Sequence, residues 1–216
     1  YFTAGIINFE GTGNSTIPST GSTPAVAQYY NLKIAGSSRA GNISFSTLGE
    51  IKISNELNLS SLNFANNNYK FFTDGSTFRF NKNGGSQYIN IEPNSPSDTT
   101  CYLEFFNLII DSSGTKELVA SSGSPLFKVT SNLTINNNAE FNSGGFNIEV
   151  QKNWVNLSGT YIPNGNTVVF RSSIANSTTE IISRSTTDNP FHSITIDGAG
   201  IVEAKDNILV NGNITI

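Results

Sequence analysis

Methionine is missing from all 216 residues, and cysteine, histidine and tryptophan occur once each. A lone cysteine, Cys101, can form no internal disulfide and no cysteine-based metal site. It reads as a small packed residue rather than a reactive thiol. Charge is scarce too, at 13% of residues against the usual quarter. The 12 Lys and Arg are scattered without a basic stripe and the net charge is −4, which argues against a nucleic-acid partner. No apolar run approaches the ~18 residues needed to span a bilayer, and no secretory signal is visible. Without an initiator, and starting at Tyr1 inside a pattern, residues 1–216 are expected to be a fragment of a larger chain.

Asn, Ser, Thr and Gly fill the place of the missing charge, beside 15 Phe, 7 Tyr and abundant Ile. Disordered chains are poor in aromatic and β-branched residues. Low charge combined with apolar alternation therefore predicts an ordered, β-rich protein. No segment carries a helical i, i+3, i+4 stripe with caps, and recurrent Gly and Asn weaken helices while permitting left-handed corners. Almost no helix is expected.

The chain repeats itself. Tyr29-Tyr30-Asn31-Leu32-Lys33-Ile34 returns as Phe105-Phe106-Asn107-Leu108-Ile109-Ile110 and as Phe191-His192-Ser193-Ile194-Thr195-Ile196. A second cassette, Ile51-Lys52-Ile53 then Leu57-Asn58-Leu59, returns as Phe127-Lys128-Val129 then Leu133-Thr134-Ile135, and as Ile208-Leu209-Val210 then Ile214-Thr215-Ile216. A third marker, a strand marked by Phe, recurs at Phe9, Phe80 and Phe170, the two later copies being introduced by Gly75 and Gly165. Leu57, Leu133 and Ile214 are 76 and then 81 residues apart, giving about two and a half long repeats in a single array over 1–216. Short alternating strands in so long a unit indicate several coils of a solenoid.

Scarce tight hairpin signals favour parallel neighbours over a sandwich. The expectation is an all-β fold, a right-handed parallel β-helix with irregular loop insertions at 14–27, 81–100 and 172–190. At roughly 20–25 residues per coil it would have about nine or ten coils. Spaced at about 4.8 Å, they would form a rod of roughly 45 Å. Equivalent positions of the repeats are expected to lie over one another, with Ile, Leu, Val and Phe inside.

Val168-Val169-Phe170, Phe105 to Ile110, Val210-Asn211-Gly212-Asn213-Ile214, Gly144-Gly145-Phe146 and Asn153-Trp154 together carry a resemblance. The chain resembles the long β-helical repeats of secreted surface proteins of the Bacteroidetes. The resemblance covers nearly the whole chain. It implies an adhesin or gliding-motility type of surface protein, export by the type IX secretion system, and an extracellular, cell-surface location. Asp98-Thr99-Thr100 resembles the O-glycosylation site of that group, with Thr99 as acceptor.

Catalysis finds little support in the residues. Polysaccharide cleavage needs clustered carboxylates, or carboxylates with Lys and Arg on one face. None of the six Asp residues forms a close pair, and Asp188 near His192 is the sole acid–imidazole pairing in sequence. Asp111 and Asp197 hold equivalent repeat positions, which points to a corner role. Neither a metal nor another cofactor is expected. Trp154, Tyr161, Tyr69 and Tyr88 are candidate glycan contacts, because aromatic rings stack on sugars, although the repeat position of Trp154 favours stacking in the core or a ladder. The sequence thus points to a non-enzymatic structural or adhesive spacer. The alternatives are a carbohydrate-binding module and the non-catalytic part of a polysaccharide-active enzyme. The expected partners are adjacent coils of the same chain, surface glycans or another surface protein.

Overall fold

A computed structural model of the chain describes residues 4–10, 13–17, 26–34, 43–45, 49–58, 71–72, 75–91, 104–120, 123–172, 174–183 and 190–216. Among these residues there is no helix, and every strand pair is parallel. The alternation read from the sequence is the cause. Strands such as Leu133–Ile135 and Thr77–Phe80 bury every second side chain and leave the intervening ones partly open. Inward residues stack on those of the coils above and below, so a continuous core forms along the axis.

Three sides make up each coil. The first carries β11 (Phe127–Val129), β14 (Ile148–Val150), β17 (Thr167–Ser172), β19 (Ser193–Gly198) and β21 (Ile214–Thr215). The second carries β7 (Thr77–Phe80), β9 (Asn107–Ile110), β12 (Leu133–Ile135), β15 (Trp154–Asn156), β18 (Thr178–Ser183) and β20 (Ile201–Ala204). The third carries β1 (Ile6–Phe9), β8 (Ser86–Asn90), β10 (Gly114–Val119), β13 (Ala139–Asn142) and β16 (Thr160–Ile162). The long strands β3 (Val26–Ile34) and β5 (Glu50–Asn58) round the corner from the second side to the third, with a register shift between Tyr29 and Asn31. A further ladder joins β2 (Ser15–Ile17), β4 (Ile43–Phe45) and β6 (Phe71–Phe72).

One inward rung runs unbroken from Ile51 through Phe78, Leu108, Leu133 and Trp154 to Ile181. Each of these six side chains is at most 1% exposed. Full burial contributes roughly 1.5–3 kcal/mol per side chain. The rung spans about five turns, advancing 27, 30, 25, 21 and 27 residues between those positions. These turns are mostly longer than the 20–25 residues expected, and the rung does not establish the expected nine or ten coils.

Two expectations need correction. The copies of the repeat do not lie over one another. Leu57 stands on the third side against Ile89, Leu133 on the second against Trp154, and Ile214 on the first against Ile194. Phe9, Phe80 and Phe170 are distributed in the same way. The cassette is two inward-facing strands across a corner, and any of the three corners accepts it. Coils of unequal length then carry each copy round to a different side. The stretches read as loops also contain strands, namely β2, β8 and β18, with Ile17, Ile89 and Ile181 buried. Abundant outward Asn, Ser and Thr hid that alternation.

Candidate functional site

Trp154 and Tyr161 sit in the core, 1% and 2% exposed. Trp154 lies on the inward phase of β15, between Leu133 and Ile181. Its ring centroid is 4.8 Å from Tyr161, 5.1 Å from Phe191 and 6.4 Å from Phe170, with edge-to-face geometry. Such pairs add about 0.5–1.5 kcal/mol each beyond area burial. The Tyr161 hydroxyl donates to Asn166 Oδ1 at 2.9 Å, and burial pushes this phenol well above its ordinary range. Neither ring has an open face, so the glycan role read for both gives way to packing. Tyr69 and Thr99 lie outside the described residues, as do Cys101 and Asp188.

Tyr88 remains as an accessible aromatic, 48% exposed on the outer surface of the third side. Glu117 and then Asn142 continue its rung, and Ser86, Thr115 and Glu140 form the neighbouring one. The Thr115 hydroxyl donates to Glu140 at 2.7 Å. This is a polar, hydroxyl-rich surface around one ring.

The first side carries an alternating charge ladder. Lys128 Nζ lies 3.3 Å from Glu104 and 4.0 Å from Glu149, and Arg171 lies 3.3 Å from Glu149 and 2.9 Å from Asp197. On the second side the outward rung passes from Lys52 and Arg79 through Ile109, Thr134 and Val155 to Ile182. Arg79 joins Glu50 at 2.8 Å to Asp111. Burial pulls the Asp111 carboxyl upward. Hydrogen bonds from Asn137, Arg79 and the Ser112 amide outweigh that and hold it below the usual carboxylate range. Asp111 thus ties a corner together, while Asp197 is an exposed partner of Arg171. His192 is exposed, with Ser193 Oγ 3.3 Å from Nδ1. Among the described residues no group of three or more His, Cys, Asp and Glu converges as a metal would require.

The sequence reading missed Lys116. It occupies an inward position of β10, in the rung running from Gln87 to Phe141, and is fully buried. Its ammonium donates to the carbonyls of Ser112 at 2.7 Å, Lys82 at 2.8 Å, Ser113 at 3.0 Å and Gly114 at 3.3 Å. Burial lowers the amine to about 8, against the upward pull of Asp111 and with a small further push from Lys82. The signal was present: Leu118 faces inward, so period two sends Lys116 inward as well.

Comparison with protein-family profiles, curated proteins and solved structures gave no match. Among the described residues no helix is long and apolar enough to cross a membrane.

Proposed function

We propose that this chain is a stiff structural and adhesive spacer within a large exported bacterial cell-surface protein, with no catalysis of its own. One observation carries the reading: the buried rung from Ile51 to Ile181, in which every coil rests on its neighbours through parallel ladders. Such an array spreads load over many hydrogen bonds and apolar contacts in series, and its stability sums over nearest-neighbour interfaces. The ladders continue beyond that rung, to β3 and β1 at one end and to β20 and β21 at the other. These strands extend the array beyond the five turns of the rung, and right-handed crossovers are the rule for parallel strands. The extracellular location and type IX export rest on the resemblance to surface repeats of the Bacteroidetes. Adjacent coils and a surface glycan or protein are the partners.

Two measurements test the reading. Antibody against this chain should label intact cells that produce the parent protein, before any permeabilisation. Small-angle scattering should give an elongated particle. Labelling only after permeabilisation, or a spherical particle, would overturn the placement or the spacer role respectively.

A carbohydrate-binding module, alone or as the non-catalytic part of a polysaccharide-active enzyme, is the second reading. The exposed Tyr88 ring beside Glu117 and Thr115 favours it. Glycan-array binding lost in Tyr88→Ala, with thermal stability unchanged, would support it; a blank array would remove it.

A further inference from the structure

We infer that the corner where residues 82–85 and 112–114 stack is a binding site for a monovalent cation of ammonium or potassium size, filled in the native chain by the tethered ammonium of Lys116. Four carbonyl oxygens, those of Lys82, Ser112, Ser113 and Gly114, surround Nζ at 2.7 to 3.3 Å. An ammonium has three protons to donate. Four oxygens around three donors exceed one-to-one pairing, so the oxygens surround the charge as a shell in which one donor is shared. Ca²⁺ takes oxygens at about 2.3–2.6 Å and Mg²⁺ at about 2.0–2.1 Å, usually with carboxylates among them. This shell is wider and made of carbonyls, which suits a single charge.

The backbone is built to make the oxygens converge. Ser112, Gly114, Gly84 and Gly85 all have φ between 63° and 94°. A Cβ on Gly114 would stand 2.5 Å from the Gly85 carbonyl oxygen, so the two corners touch where a side chain would part them. Hydrogen bonds from Gly84 N to Ser113 O at 2.9 Å and from Thr115 N to Gly85 O at 3.0 Å lock this stacking. The site therefore spans two successive coils. Lys82 contributes its oxygen from one, and Ser112, Ser113 and Gly114 contribute theirs from the next.

Among the described residues the neighbouring polar side chains have partners of their own. Burial opposes the charge most, Asp111 adds a favourable field and Lys82 a smaller opposing one, the Lys82 ammonium itself being turned out to the Ser86 carbonyl at 2.7 Å. Gln87, from β8, is occupied by the Ile53 carbonyl and the Lys82 amide. Phe141 is the inward register partner of Lys116 on β13, where Glu140 accepts the Thr115 hydroxyl instead. Without a positive charge, four carbonyl dipoles would face one another in a buried space.

Lys116→Ala and Lys116→Met separate this from a packing role. Thermal unfolding would be recorded in potassium, ammonium, sodium and choline chlorides at equal ionic strength. Wild type should unfold at one temperature in all four. Lys116→Ala should lose several degrees in choline and recover at least half of the loss, saturably, in potassium or ammonium. Lys116→Met, whose thioether chain fills the approach to the oxygens, should show the loss without the recovery. Equal behaviour of Lys116→Ala in choline and potassium would overturn the inference, as would recovery of both variants alike. If Lys116→Ala does not fold, nitrogen-15 NMR of wild type decides. A Lys116 ammonium with slowly exchanging protons supports the site, and a rapidly exchanging one overturns it.

Discussion

Two neighbouring residues on β12 should respond oppositely to the same substitution. Leu133 is fully buried between Leu108 and Trp154, whereas Thr134 points outward between Ile109 and Val155. Replacing Leu133 by Asp removes a burial worth roughly 1.5–3 kcal/mol. It also puts a carboxyl into an apolar rung, where the acid must stay protonated or carry an uncompensated charge, at a further cost of several kcal/mol. The total, about 4 kcal/mol or more, is a large part of the ~5–15 kcal/mol that holds a domain folded. Thr134→Asp alters an outward position and should stay within about 0.5 kcal/mol. Urea unfolding gives the two values. Hydrogen exchange should show lost protection in the adjoining strands β9 and β15 for Leu133→Asp alone. Equal destabilisation by the two changes would refute the alternation on which the core is built.

Other outcomes follow from corners and buried charges. Gly144 has φ 61° and an added Cβ would meet the Leu118 carbonyl, so Gly144→Ala should cost about 1–3 kcal/mol. Gly123, with φ 68° and open space around it, is the control and should cost less on thermal unfolding. The folded-state carboxyl of Asp111 lies below its unfolded value near 4, so its stabilisation is present above that pH and is lost on further acidification. Asp111→Asn should flatten the fall in melting temperature between about pH 5 and 3.

The fold was legible because period-two alternation survives on most strands, and parallel pairing followed from the scarcity of tight hairpin turns. Legibility failed where the outward residues were as polar as a loop. Ile89 in β8 and Ile181 in β18 sit among Ser, Gln, Asn and Thr, and only the inward partners supplied by neighbouring coils identify them as core. The aromatic candidates were legible only by type. Trp154 and Tyr161 were singled out by residue type, but an aromatic ring is as useful inside a coil as outside it. Lys116 was passed over for the converse reason, since a lysine is ordinarily solvated. Its place becomes visible only when the phase of Leu118 is applied to it.

The distribution of the cassettes over three sides has a geometric consequence for display. Phe9 and Phe80 close their strands and Phe170 lies two residues before the end of its own, and each strand belongs to a different side. The polar segments that follow them accordingly set out in three directions about the long axis. A decoration inserted where each of these strands ends would be presented around the shaft like leaves on a stem, reachable by neighbours approaching from any quarter.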